Sequence, residues 1–447
     1  MNPTQHGFRS GRSTMTQLLN YYENIMDIIV EGYAVDSIYL DFSKAFDKVD
    51  HDILLAKLKN LGIGGKVHSW ISSFLKNRQQ MVRVEGHFSE KVWVKSGVPQ
   101  GSVLGPLLFL IMMLDITDGI KHGTLSSFAD DTRLWMRIKN ILDTNKLQED
   151  LDALYRWSEL NNMDFNSDKF EGQSYGKNEE QHYQAPDLST IAQNNVLKDL
   201  GIYMAEDLKF EKHIHNTVAK GQRMSGWVLR TIKSRRADHM KTLLKSLVRS
   251  QLEYCSMLWS PREQRLINSI ESVQREFTRR ISKYQRYDDV LKMPKCEVSY
   301  QDRLKDLKIY SLERRRERMQ ILYLYKMTLN VVPNPGFEWT YCPRNKLTIT
   351  PKISHKQGWA HTLRNSSFSV IGPKLFNLIP KELRELPDLS KSPQQLISQF
   401  KSNIDKYLTS IPDVPGQANS LLDHKDIDYG FRMPAAEHPS NTRSNNS

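Results

Sequence analysis

Between Thr14 and Val30 the apolar residues fall at Leu18, Leu19, Tyr22, Ile25, Met26 and Ile29, the three-and-four spacing of one helical face. The pattern then changes. In Ser37–Ser43 (SIYLDFS), Ile38, Leu40 and Phe42 alternate with Tyr39 and Asp41, which predicts a strand with one buried face. Helical spacing returns over Lys48–Asn60 until Gly62, Gly64 and Gly65 interrupt it. QQMVRVEG and EKVWVKSG predict a hairpin around Gly86-His87. The longest apolar run, Val103 to Leu114, is too short to span a bilayer and predicts a buried helix. Leu125–Phe128 and Thr132–Met136 predict two strands joined by a tight turn at Ala129-Asp130-Asp131. Lys146–Leu160 reads as an amphipathic helix, Ser174–Asn194 as a polar loop and Val196–Met204 as a strand. From Phe210 onward the chain turns helical and basic, and from Asp413 it is polar enough to predict a disordered tail. Strands and helices mixed first, helices afterwards, predict an α+β body followed by helical units.

Composition adds a partner class. The 447 residues carry a formal net charge of +12 and a pI near 9.3, which suits a polyanion whose counterions are released on binding. An apolar fraction of 39% is enough for a packed core. Three scattered cysteines, Cys255, Cys296 and Cys342, make no disulfide framework and fit a reducing compartment. Cys342, His355 and His361 have the wrong spacing for a zinc finger. The opening MNPTQHGFRSGRST is polar and reads as no signal peptide, so an intracellular site, nucleus or cytoplasm, and no membrane are expected.

Asp130 and Asp131 stand side by side between apolar runs, where like charges repel and lose hydration. Asp41 lies on the polar side of an earlier strand. If the strands pair, three carboxylates converge, and hard divalent cations take oxygen ligands of this kind together with substrate phosphates. A lone Asp-Asp turn is ordinary, since Asp favours turns. The set is not. YLDFSKAFDKVDH (Tyr39–His51), SGVPQGSVLGPLLF (Ser96–Phe109) and FADD (Phe128–Asp131) occur in that order. Together they resemble the palm of a reverse transcriptase. QHGFRSGRST (Gln5–Thr14) and FADD resemble the non-LTR, LINE-like retrotransposon branch. VLKDLGIYMAEDLKFEKHI, SLVRSQLEYCSMLW, IESVQREFTRRI, DRLKDLKIYSLERRRERM and GPKLFNLIPKELREL are similar to its jockey-type and chicken-repeat-type elements.

The resemblance implies an RNA-directed DNA polymerase that works on an RNA template, a DNA primer and dNTPs, with two Mg²⁺ ions (Mn²⁺ as the alternative). It implies Asp41 and Asp130 as metal ligands, the Phe42 carbonyl as a further oxygen, and Asp131 assisting. Phe46 would close the floor under the sugar and clash with a 2′-hydroxyl. Gly97, Pro99, Gln100 and Gly101 would lie by the template and incoming nucleotide, with Arg9 and Arg12 nearby. Lys169 would give a proton to the leaving pyrophosphate, and Leu200 and Gly201 would grip the primer end. In domain terms it implies a remnant of the fingers at 1–31, palm at 32–209, thumb at 210–290, a helical C-terminal domain at 291–410 and a tail at 411–447.

Arg223, Arg230, Lys233, Arg235 and Arg236 would track a phosphate backbone, whereas Arg314–Arg318 (RRRER) reads as a solvated helix face. Two departures are visible. Earlier basic positions of the fingers have no match, and MMLDITDG (Met112–Gly119) replaces the family's tyrosine and Asn-Asp pair. An N-terminally truncated copy is therefore expected, a weak polymerase by itself or a non-catalytic nucleic-acid-binding remnant.

Overall fold

The computed structural model describes residues 4–176, 181–288, 293–344, 346–388, 390–414 and 421–424. They fall into two compact units. The first comprises Met1–Asn216 with Ser354–Asn365, and the second Thr217–Ile353 with Ser366–Ser447.

In the first unit, helix α1 (Thr14–Val30) starts at a capping box in which the Ser13 and Thr16 side chains each bond the other's backbone amide. Strand β1 (Ala34–Leu40) follows. The predicted helix Lys48–Asn60 is divided into α2 (Ala45–Lys48) and α3 (His51–Asn60). Asp50 causes the division: its Oδ1 accepts the Asp52 and Ile53 amides at 2.9 and 3.0 Å and caps α3. Helix α4 (Gly65–Leu75) leads into a two-stranded ribbon of β2 (Arg78–Gln80), β3 (Arg83–Val84), β4 (His87–Phe88) and β5 (Val92–Val94). The expected buried helix is α5 (Leu104–Met112), with Leu108, Phe109 and Met112 at 1% exposure or less.

Strands β6 (Thr124–Phe128) and β7 (Asp131–Ile138) precede α6 (Ile141–Leu160), β8 (Glu171–Tyr175) and β9 (Ala192–Gln193). The sheet order is β6-β7-β1-β8-β9, antiparallel except for the short β8–β9 pair. The β1–β7 register runs from Ala34↔Ile138 to Leu40↔Thr132. Ile38 and Leu40 belong to a core with Leu108 and Phe109 of α5 and Leu147, Leu151 and Leu154 of α6. Each such side chain is worth about 1.5–3 kcal/mol when fully buried.

The expected polar face of β1 is buried as well. Ser37 is 1% exposed, because α1 and neighbouring strands cover that face through a tyrosine network. Tyr21 donates to Ser37 Oγ at 2.7 Å and meets the Tyr39 hydroxyl at 3.1 Å. Tyr39 in turn meets Tyr175 at 3.4 Å, and Tyr175 donates to Gln173 Oε1 at 2.7 Å. As a central strand, β1 has no solvent face, and polar groups there survive by hydrogen bonding.

Val196–Met204 is a hairpin rather than one strand: β10 (Val196–Asp199) pairs with β11 (Ile202–Ala205). Leu200 and Gly201 have φ of +44° and +87°, the positive pair demanded by a two-residue turn that matches strand twist. Far along the sequence, residues 354–365 return to this unit. Arg364, 2% exposed, pairs with Glu23 (1% exposed) and Asp27 of α1.

The second unit is mainly helical, with Gln264–Arg279, Leu312–Thr328 and Pro393–Ser410 among its longer helices. It also holds two hairpins, Gln285–Asp288 with Met293–Cys296 and Trp339–Cys342 with Lys346–Ile349. The RRRER stretch is not a solvated face. Arg314 and Arg316 are 0% and 2% exposed, and Arg315 and Arg318 form ion pairs with Glu253 and Asp405. Acids distant in sequence neutralise it, so local charge density misleads here. In the expected tail, Leu421–His424 forms a 3-10 turn whose Leu421 amide donates to Glu317 at 2.9 Å. Residues 415–420 and 425–447 lie outside the described residues. Among described residues no helix is long and apolar enough to cross a membrane.

Candidate active site

Asp41 follows directly on β1, and Asp131 opens β7. Leu40 pairs with Thr132, so extending the register by one residue sets Asp41 opposite Asp131. Phe128 pairs with Asp131, which leaves Ala129-Asp130 as a two-residue turn. The two carboxylates of FADD therefore stand at the tip and the first strand position of one hairpin. Burial raises the Asp130 carboxyl, and the charge of Asp41 adds to it. Asp131 is pushed up to about 6, first by burial and then by Asp130, Asp199 and Asp41. The three acids lie within each other's field.

Asp41, Asp131, Lys169, Leu200 and Gly201 all line one cavity of about 600 Å³, together with Arg133, Asp168 and Asp199. Lys169 Nζ donates to Asp41 Oδ2 at 2.8 Å, and this contact raises the ammonium's pKa. Five of the expected site residues are thus neighbours, although up to 160 residues separate them in sequence (201 − 41).

Phe42 is buried and stacks on Phe165 at 4.3 Å between ring centroids. The bridge between these two residues uses the Ser43 amide and the Asp41 carbonyl, at 2.9 and 2.8 Å. Successive peptide groups of a strand point to opposite sides, so the Phe42 carbonyl faces away from Phe165, toward β7.

Gly97, Pro99, Gln100 and Gly101 form a loop fastened to the segment after Asp41. The Gly97 amide donates to the Val49 carbonyl at 2.8 Å, and the Val98 amide to the Phe46 carbonyl at 2.9 Å. Gln100 donates to Asp47 Oδ1 at 2.9 Å. Gly97 has φ +91°, and a Cβ there would sit 2.7 Å from the Asp47 carbonyl oxygen, so glycine is required twice over. Phe46 is half-buried and stacks on Phe109 at 4.3 Å.

Arg9 and Arg12 are spent largely on their own segment. Arg9 donates to the Gln5 carbonyl at 3.1 Å and lines a separate crevice with Leu110 and Met113. Arg12 donates to His6 Nε2 at 2.8 Å. Of the basic residues on the helix Glu211–Thr231 and just after it, Arg223, Arg230, Lys233 and Arg236 are at least partly exposed. Arg235 instead donates to the Leu229 and Ile232 carbonyls at that helix's end.

Sequence reasoning missed the clamp that holds FADD. Gln5 Oε1 accepts the Ala129 amide at 2.8 Å while its Nε2 donates to the Ala129 carbonyl at 3.1 Å. Ala129 has φ +58°, a strained region for a side-chain-bearing residue, and both its peptide groups are tied to one amide. Gly7 fits under the turn only because it lacks a Cβ, which would fall 2.4 Å from the Ala129 nitrogen. Reasoning also missed Arg133 and Asp199, the buried ion pair under the cavity. An arginine inside the apolar strand TRLWM was the available signal, since a buried charge demands a partner.

Among described residues, no group of three or more His, Cys, Asp or Glu side chains forms a ready-made metal cage. The donor set still fits a hard cation that shares its shell with substrate. It offers acids raised by burial and then by one another's charge, with the Phe42 carbonyl on the β7 side of the strand.

The site is thus a mixed sheet with acids at a hairpin tip and opposing strand end, beside a lysine and a second hairpin. Residues 1–202 match the family model described as reverse transcriptase (RNA-dependent DNA polymerase). The chain is similar to polymerases of jockey-type non-LTR elements. It is 32% identical over 316 residues to the RNA-directed DNA polymerase from mobile element jockey of Drosophila melanogaster, covering 65% of this chain and 34% of that protein. It is 29% identical over 255 residues to the probable RNA-directed DNA polymerase from transposon BS of the same species, covering 53% and 28%. The chain thus spans about a third of the length of the curated relatives it matches. Apo telomerase from Candida tropicalis is a distant likeness among solved structures: TM-score 0.39, 12% identity, 73% of this chain and 51% of that one.

Proposed function

We propose that this chain carries the catalytic centre of an RNA-directed DNA polymerase, extending a DNA primer 3′-hydroxyl with dNTPs opposite an RNA template. The observation that carries the reading is the shared field of Asp41, Asp130 and Asp131 beside a cavity that also receives Lys169 and the Leu200-Gly201 turn. Asp41 and Asp130, with the Phe42 carbonyl, would hold two Mg²⁺ ions, and Asp131 would add negative potential. Such ions, when bound, lower the pKa of an attacking hydroxyl and stabilise a leaving oxygen.

The remaining roles fall to the chain's own groups. Asp131 and Asp130 make the tip strongly electronegative and draw cations to it. Lys169 carries a proton at Nζ that the leaving pyrophosphate can take, and it must leave Asp41 to deliver it. The Gly97–Gly101 loop, bonded to Phe46 and Asp47, is a rigid floor against which a base pair can rest. Leu200 and Gly201 would bear on the primer terminus. In this reading residues 32–209 act as palm, 210–290 as thumb and 291–410 as a helical C-terminal domain.

A second reading, a nucleic-acid-binding remnant without catalysis, draws on the Lys169–Asp41 ion pair, which holds a prospective ligand. One experiment separates the two. Primer extension on an RNA template is measured with Mg²⁺ for the chain alone and for the chain carrying a jockey relative's fingers in addition. Extension that is lost in Asp130→Asn while template–primer binding persists supports the polymerase. Extension absent from both proteins, or undiminished in Asp130→Asn, rejects it.

A further inference from the structure

The ribbon Arg78–Val94 is built unlike the rest of its unit. Every residue from Gln79 to Trp93 is exposed, although the stretch includes Val82, Val84, Phe88 and Trp93 at 57–65% exposure. It pairs only with itself, β2 with β5 and β3 with β4. Two strands alone are marginal in water, and a contiguous exposed apolar patch marks a binding surface.

The arrangement of charges selects the partner. Strand alternation puts Lys91 and Lys95, which bracket β5, on the same side as Trp93. In the outer half Arg83 pairs with Phe88, and its guanidinium lies over the ring at 5.3 Å. Each aromatic is thus flanked by cations. Protein–protein interface cores shed charge, lysine above all. Exposed rings interleaved with lysine and arginine suit bases that stack and phosphates that need neutralising. The ribbon also runs straight into the Gly97–Gly101 loop and so ends beside the segment that follows Asp41.

We propose that the ribbon binds single-stranded nucleic acid, with bases stacked on Trp93 and Phe88 and phosphates held by Lys91, Lys95 and Arg83. The polymerase reading explains why a single strand should lie there, but binding can be measured without nucleotides or catalysis, so the two ideas fail separately.

The test is fluorescence anisotropy with a labelled 20-nucleotide oligouridylate RNA and a blunt duplex as comparison, on the full chain. Trp93→Ala should weaken single-strand binding at least about tenfold, and Trp93→Phe should keep most of it. Duplex affinity should not change. Lys91→Ala with Lys95→Ala should lower the salt slope by about 1.4, two single-strand phosphate contacts at roughly 0.7 each. Because these side chains are exposed, circular dichroism and the unfolding midpoint should match wild type. Unchanged single-strand affinity in the Trp93→Ala/Phe88→Ala double variant overturns the proposal. So does an equal loss on the duplex. Self-association in sedimentation that Trp93→Ala abolishes, with RNA binding intact, also overturns it by assigning the surface to a second copy.

Discussion

Arg133 and Asp199 form an ion pair with side chains only 3% and 7% exposed, joining the strand that begins at Asp131 to the hairpin that turns at Leu200. The Arg133 guanidinium also lies over the Tyr21 ring at 4.0 Å and near Tyr39. The pair fixes the distance between the acidic tip and the neighbouring hairpin from beneath. Removing one partner leaves a buried charge uncompensated, so Arg133→Met should cost about 3–5 kcal/mol in urea denaturation. Arg133→Met with Asp199→Leu should recover much of that loss. If the single variant unfolds like wild type, the pair is not buried in solution.

Gln5 should act on chemistry through the turn it holds. Gln5→Ala removes both bonds to Ala129 and leaves a buried peptide unpaired, at about 1–3 kcal/mol. If the polymerase reading is right, extension should fall at least tenfold while template–primer affinity stays within about twofold. Gln5→Glu keeps one acceptor but no donor and should recover only part.

His6 predicts a pH dependence. Arg12 donates to its Nε2, so Nδ1 carries the proton and bonds Thr16 Oγ1 at 2.8 Å. Burial, then Arg12, Arg9 and Arg133, lower its pKa to about 3. Unfolded, it titrates near 6.5. Between pH 3 and 6.5 the unfolded chain binds the extra proton, so stability from this group is full above 6.5 and is lost as pH falls toward 3. The melting temperature of His6→Gln should therefore fall less than wild type's between pH 6.5 and 4.5, by several degrees. Parallel curves would show that His6 is not buried neutral.

Lys169→Ala frees Asp41. If Lys169 supplies the pyrophosphate's proton, the extension rate should drop about 10²–10⁴-fold, the usual size of general-acid catalysis. At the same time the Mg²⁺ concentration for half-maximal rate should decrease, since a competing cation is gone. A slower rate with unchanged metal demand would leave the ion pair without influence on the acids.

Gly97→Ala tests the loop. A Cβ at φ +91° and 2.7 Å from the Asp47 oxygen must displace backbone. A loss of about 2–3 kcal/mol is expected. Gly101→Ala, also at positive φ (+79°) but with nothing near its Cβ, should cost less.

Much of this architecture is legible because periodicity reports burial. The α1 helix Thr14–Val30, the buried α5 and the β6–β7 hairpin follow from spacing alone. The acids followed from motif order, because a resemblance counts residues that burial patterns cannot rank. What stayed hidden depends on partners remote in sequence. The polar face of β1 is covered by Tyr21 and Tyr175, which no local window contains. Arg315 and Arg318 look solvated until Glu253 and Asp405 are folded against them. The Gln5 clamp spans 124 residues and rests on one amide and one missing Cβ. The ribbon's pattern predicted a hairpin correctly, yet alternation cannot say that neither face is covered.

The return of residues 354–365 to the first unit bears on how the molecule can be dissected. A fragment stopped at residue 216 would keep Glu23, 1% exposed, and lose the Arg364 guanidinium that neutralises it. Such a fragment would be destabilised by roughly 3–5 kcal/mol from that acid alone. Limited proteolysis in the span before residue 354 should yield two pieces that stay together on a sizing column even when Arg364 is replaced, because Arg318 and Asp405 also join them. A stable fragment of the first unit requires either that short peptide supplied in trans or an apolar residue at position 23.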